Sequence, residues 1–214
     1  MLVLAGAAVT AQAQLAPSSS EVADYSGLHS AAYRGDVAAL RDALSSGVAL
    51  ETRDLHGRTP LHVATFAQQR HAIRMLAEAK ANLGALDNDQ YDAVTIASVA
   101  NDEETLRLLL SLGASASLVT SPYRGTALIA ASHLGHEGVV RQLIAAGAPL
   151  NHVNNLHWTA LIEAVVLGDG GARHQGVVKA LIDAGADRSL TDKDGRTALE
   201  LAQARGYAKV VSLF

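Results

Sequence analysis

Nine histidines are the residues here best suited to chemistry, since an imidazole can ligate a metal, move a proton or bridge two backbone turns. His133 and His136 have the i, i+3 spacing that would place two metal ligands on one helical face. No third histidine follows them at helical spacing, so the pair does not make a metal site by itself. His152, His157 and His174 fall in separate segments and would need folding to meet. Nucleophile patterns are absent: the chain has no Cys and no Gly-x-Ser-x-Gly. Without cysteine there are also no disulfides and no thiolate metal sites, although an oxidising compartment remains allowed. Gly168-Asp169-Gly170-Gly171 lacks the Lys-Ser/Thr that would follow in a phosphate cradle and lacks a preceding strand, so it reads as a solvent loop. Glu103-Glu104 reads as the solvated start of a helix, where acidic residues suit the dipole. These residues imply no catalytic centre, no metal and no cofactor.

The elements that carry these residues repeat. Gly47, Lys80, Gly113, Gly147 and Gly185 each end a helical pattern, at spacings of 33, 33, 34 and 38. Leu28, Leu61, Val94, Leu128, Leu161 and Leu199 each open one, at spacings of 33, 33, 34, 33 and 38. Two independent phases with one period mark a stack of helix–turn–helix units, each too thin to bury its apolar face alone. Composition agrees: 49% hydrophobic residues with only 4% aromatic suits thin, closely packed helices. The formal net charge is -4 and no basic block occurs, which counts against nucleic acid or an anionic membrane as partner.

Within each unit the local chemistry recurs. Asp54-Leu55-His56-Gly57-Arg58-Thr59-Pro60-Leu61-His62-Val63-Ala64 is followed at later periods by Trp158-Thr159-Ala160-Leu161 and by Asp192-Lys193-Asp194-Gly195-Arg196-Thr197-Ala198-Leu199. The second helices read Val139-Val140-Arg141-Gln142-Leu143-Ile144-Ala145-Ala146-Gly147 and Val177-Val178-Lys179-Ala180-Leu181-Ile182-Asp183-Ala184-Gly185. In these motifs the chain from about Tyr25 to Phe214 resembles the ankyrin-repeat family. The resemblance implies an all-α solenoid of helix–turn–helix units with projecting β-turn fingers. Six repeats are expected, over 25–53, 54–86, 87–119, 120–153, 154–190 and 191–214. In the family's Leu-His position, His29 and His62 are expected to bridge neighbouring turns by hydrogen bonds.

The recurring residues have physical roles. Thr59, Thr126, Thr159 and Thr197 stand where a hydroxyl can cap free N–H groups, and Pro60 follows where an N–H would be unpaired. Ala31, Ala64, Ala97, Ala131, Ala164 and Ala202 keep the first helices narrow. The third unit departs most, with Asp92-Ala93-Val94 for Thr-Pro-Leu and Gln90 for the finger glycine. Lys80 replaces a helix-end glycine, at a cost of about 1 kcal/mol if the left-handed conformation is kept. The fourth unit gains one residue near Ser121–Arg124, the fifth gains five near Asp169–Arg173 between its helices, and the sixth stops inside its second helix.

Residues Met1 to Val9 are small and apolar, and Ala11-Gln12-Ala13 has the small-x-small form of a signal-peptidase site. Residues 1–13 are therefore read as a signal peptide and 14–24 as a flexible lead-in, although no Lys or Arg precedes Arg34 to give the usual basic start. Export to a periplasm or secretion is the expectation; a cytoplasmic protein with an Ala-rich N-terminus is the alternative. The apolar run is too short to anchor in a bilayer.

What the resemblance implies for binding is a concave face made of finger tips and the exposed positions of the first helices. Carried over position by position, the candidates are Tyr33, Arg34, His56, Arg58, Phe66, Tyr91, Tyr123, Arg124, His133, Leu134, Trp158, Leu167 and Arg196. Five of the eight aromatic residues are among them, the residue type that dominates interface hot spots. The expected function is a non-catalytic module, monomeric, that binds another protein. It would act as an immunity-type inhibitor of a toxin enzyme or as an accessory factor of an exported enzyme. The other classes are a metal protein or enzyme, and a scaffold self-associating through Val210–Phe214.

Overall fold

The computed structural model describes residues 14–214; residues 1–13, where the signal peptide was read, lie outside the described residues. Helix α1 (Ser19–Asp24) precedes six helix pairs. These are α2 (Gly27–Arg34) with α3 (Val37–Ser45), α4 (Pro60–Phe66) with α5 (Arg70–Glu78), and α6 (Ala93–Val99) with α7 (Glu103–Ser111). They continue with α8 (Ala127–Leu134) and α9 (Glu137–Ala145), α10 (Ala160–Val166) and α11 (Ala172–Asp183), and α12 (Ala198–Ala204) and α13 (Ala208–Val211). The first helices pack in series on one side and the second helices in series on the other, so each pair is sealed by its neighbours.

Two columns of aliphatic side chains hold the stack. Leu40, Ile73, Leu106, Val140 and Val178 form one, and Leu76, Leu109, Leu143 and Leu181 the other; all are buried. The columns are three residues apart on each second helix, which puts them on one face. Each such side chain stabilises the fold by about 1.5–3 kcal/mol. The alanine column of the first helices is buried throughout.

The capping expectations are met with two local variations. Thr126 Oγ1 accepts the Ile129 N–H at 3.3 Å, and Thr159 Oγ1 accepts that of Ile162 at 3.2 Å. Thr197 and Glu200 form a reciprocal box. At Thr59 the partner is His62: Nδ1 accepts the Thr59 N–H at 3.0 Å, which leaves Nε2 to donate to the Tyr91 carbonyl at 3.1 Å. In the third repeat Asp92 takes over the threonine's capping role, accepting the Thr95 N–H at 2.8 Å. Lys80 keeps the left-handed conformation, with φ 72°.

Two expectations are corrected. The lead-in is not structureless: α1 is closed by a capping box between Ser18 and Glu21. The insertion in the fifth repeat is not only a loop, because α11 has 12 residues where α9 has 9. The rest is pinned in place. His174 Nε2 donates to the His133 carbonyl at 2.9 Å, and the Tyr207 hydroxyl donates to the Gly168 carbonyl at 3.0 Å.

Candidate protein-interaction face

The fingers lie between successive helix pairs, and one side chain organises each of four of them. Asp54 Oδ1 accepts the N–H groups of His56 and Arg58, both at 2.9 Å. Asp87, Asn154 and Asp192 make the same two contacts in their own fingers, at 2.8 to 3.0 Å. The residue three after the organiser takes a positive φ: Gly57 at 73° and Gly195 at 77°, but also Gln90 at 63° and His157 at 61°. The finger of the fourth repeat instead closes as a hairpin, β1 (Val119–Thr120) antiparallel to β2 (Gly125–Thr126), with Ser121–Arg124 as its loop. Neighbouring fingers are joined by main-chain hydrogen bonds: Asn88 N to His56 O at 2.9 Å, Ser121 N to Gln90 O at 2.8 Å, and Asn155 N to Tyr123 O at 2.9 Å. The fingers of the second to fifth repeats therefore form a connected ribbon beside the first helices.

Arg58 does not present itself to a partner. It is 1% exposed, because α1 and the lead-in lie across it. Its Nε donates to Asp54 at 2.6 Å, Nη1 to the Leu15 carbonyl at 3.0 Å, and Nη2 to Glu21. Tyr25 completes the cluster by donating to Asp54 at 2.7 Å. Burial pushes the Asp54 carboxyl up, but the hydrogen bonds from Tyr25 and Arg58 outweigh it and hold the group below its ordinary range. His56 stands 3.2 Å from Glu21 and so belongs to the edge of this cluster.

Tyr91, expected at a finger tip, is buried instead. Tyr33 packs edge-on against Tyr25 with ring centroids 6.1 Å apart. Trp158 is half-buried and packs on the core. Phe66 is half-buried, while Arg34 and Arg124 are exposed. Arg196 is forked between Asp192 and Asp194, both at 2.8 Å. The finger tip of the second repeat offers Leu55, which is 91% exposed.

Five candidates do converge. Tyr91, Tyr123, His133, Leu134 and Leu167 line a cavity of about 220 Å³ spanning the third to fifth repeats. Its other walls include Val99, Ile129 and Leu156, and Gln14 of the lead-in also lines it. Two lining residues were missed from the sequence. Glu163 is 6% exposed, and burial pushes its carboxyl up to about 7. Asn154 Nδ2 reaches Glu163 Oε2 at 3.5 Å, and His133 Nδ1 stands 3.7 Å from Oε1. Burial, and then the charge of His174, holds His133 below its usual range. Comparing equivalent positions would have exposed Glu163, since it occupies a place where Val63, Ile96 and Leu201 stand in other repeats.

Five of the nine histidines bond backbone carbonyls and so serve the scaffold. His29 Nε2 donates to the Arg58 carbonyl at 2.9 Å, and His136 Nδ1 to that of Ser98 at 3.0 Å. His152 Nε2 donates to the Arg124 carbonyl at 2.7 Å. Among the described residues no group of three His, Asp or Glu side chains is arranged to hold a metal. Among the same residues no helix is long and apolar enough to cross a membrane.

Comparison with known proteins agrees with this architecture. The family model for ankyrin repeats (3 copies) matches residues 28–120 and 115–187. The ankyrin repeat protein YahD of Escherichia coli (strain K12) is 34% identical over 184 residues, covering 86% of this chain and 91% of its own. Among solved structures, an ankyrin repeat domain from Acinetobacter baumannii AYE superposes with a TM-score of 0.82 at 45% identity, covering 87% of this chain and 94% of that one. The ankyrin repeat domain of Bcl-3, a member of the IkappaB protein family, superposes with a TM-score of 0.79 at 26% identity, over 88% of this chain and 85% of that one.

Proposed function

The chain belongs to the ankyrin-repeat family, whose repeats are protein–protein interaction modules, and we propose that it binds one partner polypeptide on the face formed by its fingers and first helices. The observation that carries this reading is the cavity on that face, where Tyr123, His133, Leu134 and Leu167 meet. Aromatic and aliphatic groups around an apolar-walled recess are what interface hot spots are made of. The finger ribbon holds these groups in place before a partner arrives, which lowers the ordering cost of binding.

The partner is an exported protein in this reading. The support is the small, apolar run from Met1 to Val9 and the small-x-small element Ala11-Gln12-Ala13. The absence of cysteine is compatible with an oxidising compartment. The module acts as a monomeric inhibitor or accessory factor and performs no chemistry itself.

The test is affinity capture from a periplasmic extract with the native chain and with Tyr123→Ala/Leu134→Ala. Neither residue belongs to the set packed on the hydrophobic core, so the double variant keeps its fold. Capture of one protein by the native chain and its loss with the variant is the expected result. Undiminished capture by a folded double variant contradicts the proposal.

A further inference from the structure

We propose that the cavity between the third and fifth repeats is a seat for a single basic side chain, lysine or arginine, presented by the partner, with Glu163 as its counter-charge. This rests on the reading of the finger face as a binding surface and specifies what the partner places there.

The first support is the position of Glu163 in the repeat. Equivalent positions are Ser30, Val63, Ile96, Ala130, Glu163 and Leu201. Val63, Ile96 and Leu201 are buried apolar residues. The fifth repeat thus puts a carboxylate where three of the other five repeats bury a large aliphatic side chain. A buried carboxylate costs several kcal/mol unless a cation or several hydrogen bonds compensate it. The fold supplies little. The Asn154 contact, at 3.5 Å, is at the outer limit of a hydrogen bond, and His133 is 3.7 Å away and held toward its neutral form. Among the described residues Glu163 has no Lys or Arg as ion-pair partner.

The second support is shape. Ala130 takes the same position one repeat earlier, and it lines the cavity with Glu163. Where Val63 or Ile96 fills this place, Ala130 leaves it open. The resulting recess of about 220 Å³ is roomy enough to receive one long side chain.

The third support is the character of the walls. Val99, Ile129, Leu134, Leu156 and Leu167 surround the approach. A group that satisfies both walls and carboxylate has an aliphatic stem and a cationic head, the build of lysine and arginine.

The experiment uses the full chain at pH 8 and two probes, Nα-acetyl-lysine methylamide and its norleucine counterpart, titrated against methyl-labelled protein. The expected result is saturable shifts of the Ile129, Leu134 and Leu167 methyls with the lysine probe. Binding should be at least tenfold weaker with the norleucine probe or with Glu163→Gln. Ala130→Ile, which fills the recess, should remove the response. Equal binding of the two probes, undiminished binding to Glu163→Gln, or no saturable shift overturns the proposal. If the lysine probe fails while Tyr123→Ala/Leu134→Ala still loses its partner, the cavity assignment falls and the binding face stands. If the probe binds but the double variant keeps its partner, the binding-face reading falls instead.

Discussion

Replacing Glu163 by glutamine should stabilise the protein, and the gain should grow with pH. Burial raises the carboxyl from 4.5 to about 7, so the folded state holds its proton where the unfolded chain has released it. Stability is therefore complete below pH 4.5 and is lost as the pH rises through 7. At 1.36 kcal/mol per pKa unit, the loss is roughly 3 kcal/mol at pH 8 and under about 1 kcal/mol at pH 5. Glutamine has the same shape and does not titrate, so the variant escapes this loss. Urea denaturation followed by circular dichroism, with both proteins at both pH values, gives the double difference. Constant costs of the amide cancel in that difference. The variant's advantage should increase by about 2 kcal/mol from pH 5 to pH 8. An advantage that is the same at both pH values refutes the reasoning, because the carboxyl would then be ionised in the fold across the whole range.

Three other outcomes follow from the scaffold. Arg58→Met leaves Asp54 and Glu21 without their shared cation, which should cost about 3 kcal/mol and speed hydrogen exchange at the Glu21 to Tyr25 amides; unchanged exchange there contradicts the clamp. Lys80→Gly relieves a left-handed lysine at φ 72° and should gain about 1 kcal/mol in the same denaturation assay. Burial pulls His62 from 6.5 to about 4, so stability is lost as the pH falls from 6.5 through 4, and an NMR titration should find the ring still neutral at pH 5.5.

Much of the scaffold was legible in the sequence because periodicity and local chemistry pointed the same way. The alanine column, the capping threonines and the left-handed Lys80 all depend on short-range geometry that a repeat displays several times over. What was not legible depends on contacts across the chain. Arg58 occupies a finger position, and only the return of residues 15–21 across it makes it a buried anchor. Tyr91 likewise turns inward, where its carbonyl accepts from His62 of the preceding repeat. At the cavity, the aromatic and aliphatic rim was found by position in the repeat. The carboxylate was passed over because Glu163 sits inside a regular helical pattern, and its meaning emerges only beside Val63, Ile96 and Ala130. Within the fifth repeat, extra residues were counted correctly as an insertion, but sequence spacing does not say how many lengthen α11.

Site-specific photo-crosslinking tests most directly whether the finger face is the surface that meets a partner. A benzophenone amino acid is placed at Tyr123, on the cavity, and in a second protein at Arg107, exposed on the second-helix side. After irradiation in cells that express the chain, residue 123 should yield one discrete cross-linked polypeptide and residue 107 none. Cross-linking from 107 alone, or equally from both positions, would contradict a partner seated on the fingers and first helices.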